Sequence, residues 1–147
     1  MAELAGTGRY EVSDAVKAVI GKHFVGGYCS DDETKSAINK VYTENGYLMD
    51  THTAVAYNKL AAYRKDTGCV TPAVVVSTAS PYKFCNSVLQ ALGQESDAPG
   101  TELIEKLSEV TKTAIPKPLK GLDRREKRFE LVVDKPEMKA TVADFLK

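Results

Sequence analysis

The chain shows no excess of either charge: 20 lysines and arginines balance 20 aspartates and glutamates over 147 residues. Nucleic-acid binders draw much of their affinity from basic patches set against phosphates, so no nucleic-acid partner is expected. No apolar run approaches the length of a membrane span, and no membrane association is expected. The opening residues Met1-Ala-Glu-Leu-Ala-Gly-Thr-Gly-Arg9 lack the apolar core of a signal peptide. The expected compartment is therefore the cytoplasm. Cysteine is scarce and widely spaced, at Cys29, Cys69 and Cys85, with no CxxC pair. Only His23 and His52 are available as histidines, so a zinc site has no ligand set and the cysteines read as three reduced thiols. Phosphate-cradling glycine motifs (GxGxxG, GxxxxGK[ST]), the serine elbow GxSxG and the zinc helix HExxH are all missing. Nothing in the chain is a complete active site of a familiar type.

What is present is mostly helix signal. Ser13 is a good N-cap for a helix with an apolar stripe at Ala15, Val16, Val19 and Ile20, stopped by Gly26-Gly27. Ser30-Asp-Asp-Glu33 is a capping box, with Asp31 and Asp32 in the first turn, where the helix dipole favours negative charge. The buried face of that helix falls on Ala37, Ile38, Val41 and Tyr42, and Asn45-Gly46 ends it. After the short extended piece Tyr47-Leu48-Met49, Asp50 or Thr51 can cap a further helix that runs through Ala54, Tyr57, Leu60 and Ala61 to Gly68.

Pro72-Ala-Val-Val-Val-Ser77 is the most strand-like segment. Its apolar residues are continuous, the pattern of a parallel strand buried on both faces. Ser80-Pro81 then opens another helix, with Phe84, Val88, Ala91 and Leu92 as its inner stripe. Thr101 is placed as the cap of the next, whose face is Leu103, Ile104, Leu107 and Val110. Ile115-Pro-Lys-Pro118 reads as a linker, and Asp123 to Arg128 as a solvated mixed-charge run. A last helix from about Pro136 turns Met138, Val142 and Phe145 inward. One doubly buried strand needs neighbours that this chain scarcely offers, a first hint that the polypeptide belongs to something larger; a mainly helical independent domain is the alternative.

Two segments can carry chemistry. Ser77-Thr-Ala-Ser-Pro81 puts three hydroxyls at a strand-to-helix turn, with Lys83 one turn on, although such a turn is more often only a cap. Asp50-Thr-His-Thr53 packs an acid, an imidazole and two hydroxyls into four residues, enough to bind a polar ligand or relay protons, or simply to cap a helix. His23, late in its helix, reads as structural.

Gly46-Tyr-Leu-Met-Asp50-Thr-His-Thr-Ala-Val-Ala-Tyr57, followed by Val76-Ser-Thr-Ala-Ser-Pro-Tyr-Lys-Phe84, closely resembles the C-terminal part of threonine synthase. That family shows G-Y-x-x-D-P-H-T-A-V and then S-T-A-x-P-x-K-F at similar separation. Leu4 to Ser13 and Ser30 to Thr34 are similar as well. The resemblance runs to about Leu92 and continues more weakly beyond. Thr51 stands where the family has proline, and Ser80 where it often has histidine.

The resemblance implies an α/β fold: a helix-rich fragment of the large domain of the tryptophan synthase β-like fold, with few parallel strands. Residues 1–147 would be the C-terminal part, with the lysine-bearing N-terminal part absent. It also implies a parent lyase of threonine biosynthesis that uses pyridoxal 5'-phosphate (PLP). That enzyme converts O-phospho-L-homoserine and water to L-threonine and phosphate. The resemblance places Thr78 and Ser77 at the cofactor, with Thr78 facing the pyridine nitrogen. Asp50, His52, Thr53, Ser80 and Lys83 would form an active-site wall. Neither the Schiff-base lysine nor the phosphate-binding loop has a counterpart, so no residue here is catalytic and the chain alone is expected to be inactive. The alternatives are a stand-alone binding or assembly module, or part of another PLP lyase of the same fold. Surface left uncovered by a missing part would promote self-association.

Overall fold

The computed structural model describes residues 2–126 and 128–147. Seven α-helices span Ala2–Thr7 (α1), Asp14–Gly21 (α2), Asp31–Asn45 (α3), Thr51–Thr67 (α4), Cys85–Ala91 (α5), Gly100–Thr111 (α6) and Met138–Phe145 (α7) among the described residues. Three 3₁₀ turns lie at Pro81–Lys83, Leu122–Arg124 and Lys135–Glu137. The chain divides into two compact units, Met1–Ser96 and Asp97–Lys147.

The first unit is built on α3. The Ser30 hydroxyl accepts from the Glu33 amide at 3.2 Å, and the Glu33 carboxylate accepts from the Ser30 amide at 2.8 Å. Both bonds satisfy amides that have no partner within the helix. Thr34, Ala37, Ile38 and Val41 are buried on one stripe at the spacing of a single helical face. Gly46 ends the helix at φ 66°, a left-handed conformation that suits glycine, and its amide bonds back to the Tyr42 carbonyl at 2.9 Å. Leu48 and Met49 then enter the core, and Asp50 caps α4. Helix α3 packs against α4 and α5, where Val88 and Leu89 are fully buried. The Asn39 side-chain amide donates to the Ala91 carbonyl at 3.0 Å, satisfying an acceptor left open at the end of α5.

The expected α/β fold with parallel strands is wrong for this chain. No strand occurs among the described residues. A strand is completed by a partner backbone, and the sequence holds only one strongly β-prone run. Pro72–Ser77 is accordingly outside any helix or ladder, with Val74 91% and Val76 68% exposed. The continuous valines describe a segment suited to burial, and among the described residues nothing covers Val74 or Val76. Val74→Lys should therefore change stability by less than about 0.5 kcal/mol, as at an ordinary surface position. Thermal denaturation followed by circular dichroism checks this; a buried strand would lose far more.

Several other expectations need correcting for the same reason. The stripe of α2 is exposed at Val16, Val19 and Ile20, and the helix ends at Gly21, before the glycine pair. Ala61 of α4 faces solvent. The helix expected from Ser80-Pro81 opens as a 3₁₀ turn and becomes α-helical only at Cys85.

In the second unit, α6 begins at Gly100 with Pro99 in the cap position, so Thr101 lies inside the first turn and does not cap. Leu103, Ile104 and Leu107 are buried as expected. Lys112 ends α6 in the left-handed region at φ 57°, uncommon for a side chain larger than glycine. The Ser108 hydroxyl donates to the Thr113 carbonyl at 2.8 Å and the Thr111 hydroxyl to the Leu107 carbonyl at 2.6 Å, which hold that turn. Met138, Val142 and Phe145 of α7 point outward, each more than half exposed. The Phe145 ring meets Phe129 edge-on, with centroids 6.4 Å apart. Of the mixed-charge run, Lys127 lies outside the described residues, and the remainder is exposed.

Candidate functional site

The two chemistry-bearing segments meet in the first unit. Asp50 is almost completely buried at the N-terminus of α4. Its Oδ1 accepts from the His52 amide at 2.9 Å and the Thr53 amide at 3.2 Å. Its Oδ2 accepts from the Thr53 hydroxyl. Ser77, 27 residues further along, donates to the same oxygen at 3.4 Å. Its Oγ lies 3.0 Å from the Thr53 hydroxyl. Burial alone would raise the Asp50 pKa, but hydrogen bonds from Thr53, His52 and Ser77 outweigh it and hold the carboxyl below its ordinary value. Asp50 is therefore a charged, buried anchor that ties the start of α4 to the end of the extended segment.

His52 sits on the outer side of this anchor. Its Nδ1 lies 3.6 Å from Asp50 Oδ1, close enough for an ion pair whenever the imidazole is protonated. Its ring packs against Phe84 with centroids 5.0 Å apart, and the Lys83 ammonium lies 5.5 Å from the centroid of the same Phe84 ring. Ser80 accepts from the Tyr82 amide at 3.3 Å and caps the 3₁₀ turn. Cys85 is buried, which pushes its thiol pKa up, and its sulfur contacts the Tyr82 carbonyl at 3.2 Å.

The structure thus links Asp50, His52, Thr53 and Ser77 directly, and reaches Lys83 through Phe84. Ser77 is held in the Asp50 network. Thr78, the next residue, is exposed just before the bend at Ala79. Phe84 is the member that the sequence reading missed, having been assigned to a helix stripe. Its position at the end of Ser80-Pro-Tyr-Lys-Phe84, within reach of a histidine from the other segment, is not a local signal.

A cleft of about 400 Å³ opens beside this network, with Cys29, Asp31, Lys35, His52, Phe84 and Ser87 among its walls. Among the described residues, no group of three or more potential metal ligands comes together. Among the described residues, no helix is long and apolar enough to cross a membrane.

Comparison with known proteins gives the family of the chain. The family described as threonine synthase, C-terminal, matches residues 53–143. A threonine synthase-like 1 protein of Mus musculus is 35% identical over 124 residues, covering 84% of this chain and 15% of its own length. The threonine synthase-like 1 protein of Homo sapiens is 38% identical over 84 residues, 56% of this chain and 11% of that protein. A threonine synthase of Schizosaccharomyces pombe is 35% identical over 98 residues, 66% of this chain and 19% of that enzyme. The chain thus spans less than a fifth of the length of these relatives.

Proposed function

The chain belongs to the threonine synthase C-terminal family, and from that premise we propose that it supplies one wall of a PLP-dependent active site. The intact enzyme would convert O-phospho-L-homoserine and water to L-threonine and phosphate. PLP supplies an electron sink for that chemistry. The single observation that supports this reading is the Asp50–Thr53–Ser77 network, which fixes the segment bearing Thr78 against the start of α4.

The residues present fit one edge of the cofactor. Thr78 is an exposed neutral hydroxyl that can meet a pyridine nitrogen without favouring its protonation, as a carboxylate would. Ser77, engaged with Asp50, positions that turn. His52 is exposed beside Asp50, where it can hold a proton, and Lys83 adds positive charge at the rim. The cofactor-bearing lysine and the phosphate loop are assigned to another part of the enzyme.

The test is a chimera in which residues 46–143, which include Asp50 and His52 as well as the matched family region, replace the corresponding region of the Schizosaccharomyces pombe relative. It should bind PLP and release phosphate from O-phospho-L-homoserine. Thr78→Ala in that chimera should lower turnover by roughly tenfold, the worth of one good hydrogen bond, with little change in melting temperature. A folded chimera that binds no PLP, or a Thr78→Ala variant with unchanged turnover, would remove the segment from the site.

A further inference from the structure

We propose that Asp50 and Phe84 are positioning residues for His52: they hold its neutral imidazole with the proton on Nδ1, so that Nε2 is a bare acceptor for an O–H or N–H donor. Its use in catalysis rests on the active-site wall proposed above; the choice of tautomer does not. An unconstrained neutral imidazole prefers the proton on Nε2, so the arrangement reverses the ordinary state.

The reversal follows from what stands behind the ring. The Asp50 side chain is fully buried, whereas that of His52 is 60% exposed. Hydrogen bonds from Thr53, His52 and Ser77 keep the Asp50 carboxyl charged despite its burial. Its Oδ1 lies 3.6 Å from His52 Nδ1. A lone pair at Nδ1 would point at that negative charge, whereas an N–H turns its positive end toward it. A distance of 3.6 Å is too long for a closed hydrogen bond. The bias is therefore set at roughly threefold or more, below the tenfold or more of a charge-assisted bond. Nε2, on the far side of the ring, is turned away from Asp50, and His52 lines the cleft.

An exposed histidine can swing to another rotamer, and Nδ1 would then leave the carboxylate. Phe84 stands in the way, its ring centroid 5.0 Å from that of His52 and the planes 49° apart. Phe84 is itself held from both sides. Its amide donates to the Pro81 carbonyl at 3.0 Å, and its carbonyl accepts from the Val88 amide at 3.0 Å. The other ionisable groups around the ring are Lys83, at the Phe84 face, and Cys29, Asp31 and Lys35, which line the same cleft. Among the described residues, Asp50 is the one carboxylate within ion-pair reach of the imidazole.

Long-range proton–nitrogen NMR correlation spectra of the 147-residue chain, recorded on the neutral imidazoles, test this. The protonated and bare nitrogens resonate far apart, so each tautomer is read directly. His23, the other histidine, is exposed and is the internal control, with His23→Gln assigning the signals. His52 should be mainly Nδ1–H and His23 mainly Nε2–H. Asp50→Asn and Phe84→Leu should each move His52 to the pattern of His23. Phe84→Tyr, which keeps the ring, and Lys83→Met should leave it as in the wild type. Circular dichroism establishes that each variant is folded, and Phe84→Leu decides the matter should Asp50→Asn unfold. In the chimera described above, Phe84→Leu should lower turnover by roughly threefold or more, and Phe84→Tyr should restore it. The proposal is overturned if His52 is mainly Nε2–H, if a folded Asp50→Asn or Phe84→Leu variant keeps the wild-type tautomer, or if Lys83→Met alone reverses it. Unchanged turnover in the Phe84→Leu chimera would also overturn it, by removing the positioning role. The tautomer is measured on the chain without cofactor, so a chimera that binds no PLP would count against the wall and not against the tautomer.

Discussion

Asp50→Ala is expected to cost the first unit about 2–3 kcal/mol, measured by urea denaturation followed by circular dichroism. Loss of a helix cap accounts for about 1 kcal/mol of this. The remainder comes from leaving the Thr53 and Ser77 hydroxyls without the acceptor that holds them. Asp50→Asn should cost less, because it keeps an oxygen acceptor but not the charge. The pair of variants also fixes a pH dependence. The Asp50 pKa is lower in the folded chain than its ordinary value. Its charge therefore contributes stability fully above the unfolded carboxylate pKa, about 3.9, and that contribution is lost as pH falls through the folded value. The stability gap between wild type and Asp50→Asn should be constant near neutrality and close below about pH 4. A gap that widened with acid would place the carboxyl in the opposite electrostatic environment.

Leu89→Ala should cost about 2–5 kcal/mol, the range for removing a large aliphatic group from a closed core. Leu89 is fully buried on α5, which packs against α3. Leu89→Met keeps the volume and should cost less than about 1.5 kcal/mol. The comparison with Val74→Lys is informative because both residues are aliphatic and each has an apolar neighbour in sequence. One anchors the helical core and the other contacts almost nothing. Equal losses at the two positions would mean that the extended segment is packed after all.

That contrast shows what could be read in advance. Local chemistry located the helix ends: Ser30 with Glu33, Gly46, and Asp50 as one of two possible caps all act as their side chains require. Periodicity located the face of α3, because the surfaces it meets, α4 and α5, lie within the same chain. It failed for Pro72–Ser77, for α2 and for Met138, Val142 and Phe145 of α7. An apolar pattern records that a face is suited to burial, not which polypeptide covers it. The strand assignment failed for this reason and took the α/β class with it.

The site divides in the same way. Asp50, His52 and Thr53 stood out as a dense polar group, and Ser77, Thr78 and Ser80 as a hydroxyl-rich turn. Their meeting depends on a fold that brings residues 27 positions apart into contact, which no local rule reports. Phe84 escaped because helical spacing accounted for it equally well, whereas its contact with His52 comes from α4 and the 3₁₀ turn approaching each other.

The most direct measurement is an absorbance titration of this chain with PLP, before and after borohydride reduction, with mass spectrometry to locate any modified lysine. No saturable band and no single modified lysine are expected, because the chain is assigned a hydroxyl wall of the cofactor site and not its lysine. A saturable band that reduces onto one lysine would show that the chain holds a cofactor site of its own, and would contradict its assignment as a wall of a larger enzyme.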